Sequence, residues 1–150
     1  LRVVSNTGQN LRHNVNAGGT TIPDGTLNYV AGTPAPGIEA AAYTNNDLDA
    51  TTITTLFDLD TNLDQIAIQA PPNNGSLGAT GKLGEDVGQA SGFDIHSVLS
   101  RGVTIANRGY AVLNVNGEYC FYRINLLTGA ATYAGSFKDV VVDIAIPLDQ

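Results

Sequence analysis

Apolar and polar positions in this chain recur in short bursts rather than at helical spacing. The run Tyr110-Ala111-Val112-Leu113-Asn114-Val115 and the run Tyr119-Cys120-Phe121-Tyr122-Arg123-Ile124 flank Asn116-Gly117. That dipeptide is the strongest short-range hairpin signal, because a type I′ turn needs φ > 0 at both central residues. A turn at Thr128-Gly129 leads into a further strand within "LLTGAATYAGSF", and "GFDIHS" precedes the hairpin as a first strand. Together the four runs predict one antiparallel meander.

Weaker copies of this unit lie upstream. Asn125 to Gly129, with Gly135 downstream, matches Ala70 to Gly75 with Gly81, and Asn14 to Gly18 with Gly25. First strands recur at Ala41–Thr44, Gly92–Ile95 and Val142–Ala145. A period of roughly 40 to 50 residues with four strands per unit is the pattern of propeller blades. The expected fold is therefore all-β, built of about three β-propeller-like four-stranded units in one domain, 1–150. The units fall at residues 1–25, 40–84 and 92–137, with a closing strand at 140–147.

The first unit is incomplete. Leu1-Arg2-Val3-Val4 reads as a strand, Asn6-Thr7-Gly8 as a turn and Leu11-Arg12-His13 as the next strand, so the chain starts at strand two of its unit. "VVVDIAIP", the orphan first strand, is expected to pair with the unit begun by Leu1. Three units fall short of the four to eight blades of a closed propeller. Three arrangements follow: blades upstream, chains that complete one another, or an open stack with exposed strand edges. With no Met anywhere in the chain, the expectation is a processed product or part of something longer.

Composition agrees with short strands and tight turns: 17 Gly and 6 Pro, with few Lys or Glu. A length of 150 residues is enough for a substantial core. The formal charge of −7, with only seven Lys and Arg scattered singly, argues against a nucleic-acid partner. Between Arg12 and Lys82 stand Asp24, Glu39, Asp47, Asp49, Asp58, Asp60 and Asp64 with no Lys or Arg. An ionic partner of that stretch would be a cation; the alternative is a solvated acidic face. No apolar run reaches the length that spans a bilayer as a helix. Cys120, alone in an apolar run, reads as a buried structural thiol.

The segments "LRVVSNTGQNLR", "GTLNY", "AAYTNN", "TLFDLD", "PPNNGSL", "GFDI" and "YRINLLTGAAT", in this order, resemble a bacterial family catalogued as domain of unknown function 4394 (DUF4394). The similarity runs over nearly the whole chain and corresponds to the C-terminal part of the domain. It implies a secreted protein with propeller-like repeats, and it carries no catalytic residue over. Two turns depart from the family pattern: Val15-Asn16-Ala17-Gly18 replaces a Pro-Asp-Thr-Gly-like turn, and "VAGTPAPG" stands where an acidic residue follows a Gly.

Each chemical motif has a plainer alternative. Asp58, Asp60, Asn62 and Asp64 alternate like ligands in the first half of a calcium loop, but Leu63 and Gln69 occupy the Gly and Glu positions of an EF-hand. A hairpin turn near Thr61-Asn62 explains the same residues. "GATGKLG" lacks the spacing of a phosphate loop and reads as a strand end and turn. Asp94-Ile95-His96-Ser97 does not make a triad, because Asp94 and His96 share one strand face and a triad needs separate elements to converge. His13 and His96 lie in different units, which leaves no zinc set with Cys120. Asn74-Gly75-Ser76 reads as a tight turn rather than a used glycosylation site.

The chain is thus expected to be non-enzymatic, with no catalytic, cofactor-binding or metal-ligating residue assigned and no cofactor. It reads as a secreted, extracellular structural or interaction module that self-associates through strand edges as an oligomer or filament. The alternative is a fragment of a longer propeller that binds a small ligand, a glycan or calcium, at the channel mouth or at loops such as Asn45–Thr52.

Overall fold

The computed structural model describes residues 1–147 and is all-β, with three antiparallel sheets that follow one another along the chain. Sheet 1 holds β1 (Arg2–Val4), β2 (Asn10–His13) and β3 (Thr21–Pro23). Sheet 2 holds β4 (Ile38–Tyr43), β5 (Leu56–Asp60), β6 (Gln65–Gln69) and β7 (Leu77–Lys82). Sheet 3 holds β8 (Val87–Ser100), β9 (Val103–Val115), β10 (Glu118–Ile124) and β11 (Ala131–Ser136). Each ladder joins strands adjacent in sequence, so every sheet is a meander.

Local chemistry explains the turns. Asn116 and Gly117 have φ of 53° and 84°, the pair of positive values that a two-residue I′ turn requires. Gly75 and Gly129, at φ 69° and 74°, close the turns before β7 and β11.

Two cores hold the sheets face to face. Phe57, Leu59 and Ile66 of sheet 2 pack on Phe93, Ile95, Leu113 and Tyr122 of sheet 3. Leu27, Ala35, Ile38, Ala67 and Leu77 form the second core, with Val4 of β1 packed against it. Each fully buried Leu or Ile contributes about 2 kcal/mol relative to exposure. β5 is buried along its whole length, since one face meets each core. Glycines allow the sheets to close up. A Cβ on Gly25 would stand 2.4 Å from Asn74 O, and one on Gly81 would stand 2.0 Å from Thr128 O.

The expected closing strand does not form. Residues 140–147 belong to no strand and make no ladder with β1. They lie instead on the face of β8 turned away from sheet 2. There Gly92 lies directly against Asp143, where an added Cβ would stand 2.5 Å from Asp143 Cα, and Ile146 N donates to Asp94 Oδ2 at 2.6 Å. The β-branched run has strand propensity, but a side-chain carboxylate takes its Ile146 N–H.

Candidate functional site

The first sheet ends in an open edge. β1 pairs with β2 on one side and with no strand on the other among the described residues. Beside it lies a groove of about 660 Å³, bounded by Leu1, Arg2 of β1, Arg12 and His13 of β2, Ala41 and Tyr43 of β4, and Asp94 of β8. An unpaired edge presents a row of N–H and C=O groups to any extended chain that reaches it.

Arg2 fixes that edge against sheet 2. Its guanidinium donates to Asn10 Oδ1 and Asp24 Oδ2 at 2.6 Å each, to Asn73 Oδ1 at 3.0 Å and to Tyr43 Oη at 3.4 Å. Arg12 donates to the same Asp24 carboxylate, which holds the Asp24 pKa below the usual carboxylate value. Asn10 Nδ2 in turn donates to Gly25 O and Pro72 O. Part of the acidic stretch is therefore internal rather than a solvated face.

Two acids of β5, Asp58 and Asp60, are fully buried, and Asp58 is the one without partners. Neither of its carboxylate oxygens has a partner among the described residues; Gln69 Oε1 is likewise buried and unpartnered. Burial pushes the Asp58 pKa up to about 8, against the pull of Arg2 and with the repulsion of Asp60. Asp60 is satisfied: Tyr29 donates to Oδ2, and the Asn62 and Leu63 amides donate to Oδ1. Asp64 turns outward from the hairpin and takes the Val87 amide. The alternating acids thus separate into a core residue, a turn cap and a link to sheet 3, and they do not converge as a calcium loop.

A second polar cluster holds the loop Asn45–Thr52. Asn107 Oδ1 accepts from Asn45 N and from Ser97 Oγ, while Asn107 Nδ2 donates to Asn45 Oδ1. Ser97 Oγ also takes the Asn46 amide. Asp47 Oδ2 accepts from Thr104 N and Oγ1 and from Thr52 Oγ1, and these donors keep its pKa low. A cavity of about 620 Å³ opens beside this cluster, lined by Thr44, Asn45, Asn107 and Arg123. Sequence reasoning singled out the loop but not its anchors, because Ser97, Thr104 and Asn107 come from β8 and β9, far along the chain.

The remaining motifs fall where their plainer readings put them. "GATGKLG" is the end of β7 and a turn, with the Lys82 ammonium on Leu63 O. Asp94 and His96 lie on β8, and Ser97 points to its opposite face. His13 contacts Thr21 within sheet 1. Cys120 is a buried free thiol. No group of three or more His, Cys, Asp or Glu among the described residues is placed to hold a metal ion. Among the described residues, no helix is long and apolar enough to cross a membrane.

Comparison with known families places residues 1–145 in a match to the family described as Domain of unknown function (DUF4394). Neither curated proteins nor solved structures gave a match.

Proposed function

Since the chain belongs to the DUF4394 family, whose description assigns no activity, we propose that it is a non-enzymatic, secreted structural module that self-associates through β-strand edges. One observation carries this reading. Sheet 1 has three strands where sheets 2 and 3 have four, and the β-branched segment 140–147 is paired with no strand. An edge without a strand and a strand without an edge are the two halves of a β-augmentation contact. The consecutive order of the sheets supports it, because β1 pairs with β2 alone among the described residues and the position beside it, before β1, is open. Secretion rests on the family resemblance alone.

The test is the native mass by light scattering on a sizing column, with negative-stain electron microscopy of the same fractions. A discrete ring-sized oligomer or a filament is expected. A concentration-independent monomer sinks the reading.

The second reading, a propeller segment that binds a small polar ligand, is favoured by the cavity beside Asn45 and Asn107. Saturable chemical-shift changes at those residues in a glycan screen are its test.

A further inference from the structure

Among the contacts between sheets, one recurs at both seams. Gly75, the turn glycine of sheet 2, sits on Gly25 of sheet 1, where an added Cβ would lie 2.2 Å from Gly25 O. Gly129, the turn glycine of sheet 3, sits on Gly81 of sheet 2, with the same distance at 2.0 Å. Two residues past each turn glycine a backbone amide crosses the seam: Leu77 N donates to Asn28 O at 2.8 Å, and Ala131 N donates to Leu83 O at 2.9 Å.

Each end of the stack carries half of a third such contact. Gly18 is the turn glycine of sheet 1, at φ 75°, and an added Cβ would meet nothing within 4 Å. Gly135 is the matching receiver on sheet 3, and it too meets nothing. The ladders establish the match. Gly81 pairs with Ile66 just before a register shift in β6–β7, and Gly135 pairs with Phe121 just before the same shift in β10–β11. Ile66 is fully buried in the seam between sheets 2 and 3. Phe121, its counterpart, is half-buried beside exposed Phe137 on the face turned away from sheet 2. At the other end, Val3 is exposed on the face of sheet 1 opposite Val4, which packs toward sheet 2.

The segment 140–147 agrees with this arrangement. It lies over β8 on the outward face of sheet 3, where the first strand of a following sheet belongs, and sheet 1 is the sheet that lacks one.

We propose that the Gly18 turn of one copy seats on Gly135 of a second copy, forming a third seam of the kind already built twice within the chain. Thr20 N, two residues past Gly18, then donates to a backbone carbonyl at residue 137 or 138 of the second copy. Residues 140–147 of that second copy come alongside β1. The proposal rests on the self-association reading and names the faces that meet. The contact is head-to-tail, so it gives a ring where the rotation closes and a filament where it does not.

Three full-length variants test it by light scattering across a concentration series, with circular dichroism as the check on folding. Gly18→Asn adds a side chain at a left-handed position that Asn tolerates, in space that is open within one chain. It is expected to weaken assembly at least tenfold. Gly102→Asn makes the same change at a left-handed glycine in open space, in the β8–β9 turn at the far end of sheet 3 from Gly135, and it should assemble as wild type. Ile144→Pro removes a backbone N–H that donates to Asp143 Oδ1 within one chain and that pairing with β1 across the seam is expected to use. If Gly18→Asn assembles like wild type while Ile144→Pro does not, the glycine seam is wrong and strand-edge pairing stands. If wild type does not assemble at all, both fail.

Discussion

Arg2 lies 2.6 Å from Asp24 with both side chains only 5% exposed, and Arg12 shares the same carboxylate oxygen at 2.7 Å. Arg2 thereby ties the first strand of the chain to the Asp24 turn and, through Tyr43 and Asn73, to sheet 2. Arg2→Met keeps the apolar stem and removes every donor, leaving Asn10 and Tyr43 without this partner. The expected cost is about 2 kcal/mol, from hydrogen bonds to a charged group. Urea denaturation reads it, and an unchanged midpoint would assign the network no net role.

Asp58 sets a pH dependence of definite sign. Its pKa is about 8 in the folded chain against an ordinary 3.8, so between those values the native state keeps a proton that the unfolded chain has lost. Stability through this group falls as pH rises from about 4 to about 8 and then levels off, by at most about 1.4 kcal/mol per pH unit. Asp58→Asn resembles the protonated acid and should flatten that slope, raising the denaturation midpoint at pH 8 but not at pH 4. Parallel slopes in the two proteins would refute the assignment.

The Asn45–Thr52 loop depends on Asn107. Asn107→Ala deletes three hydrogen bonds that Asn45 and Ser97 share. A loss of about 2 kcal/mol is expected, with faster amide exchange at Asn45 and Asn46. Exchange that speeds up equally in sheet 1 would mean a global effect instead.

Gly129 tests the internal seam. Its φ is +74° and an added Cβ would lie 2.0 Å from Gly81 O, so Gly129→Ala cannot be accommodated by rotating a side chain. A destabilisation of about 3 kcal/mol or more is expected. Gly117→Ala, with the same sign of φ and open space around it, should cost only about 1 kcal/mol. Equal costs at the two sites would remove the seam from the account.

What the sequence disclosed follows the range of the forces involved. Asn116-Gly117 was readable because a type I′ turn makes its demand on two adjacent residues. The recurring glycines were readable as a spacing, yet their purpose was not, since Gly75 and Gly129 answer to glycines of the preceding sheet. Asp58 was unreadable for a related reason: alternation marks a strand with one wet face, and β5 is buried on both. "VVVDIAIP" has the composition of a strand, but composition does not name a partner, and in the structure Asp94 takes the Ile146 amide that a neighbouring strand would have bonded.

The meander order of the sheets bears on how the protein comes apart. Every ladder links sequence neighbours, and the two cores join sheet 1 to sheet 2 and sheet 2 to sheet 3. Free energy in such an array is close to a sum of unit terms and nearest-neighbour terms. Sheet 2, with a neighbour on each face, is then the most protected unit, and sheet 1 can melt without carrying sheet 3 with it.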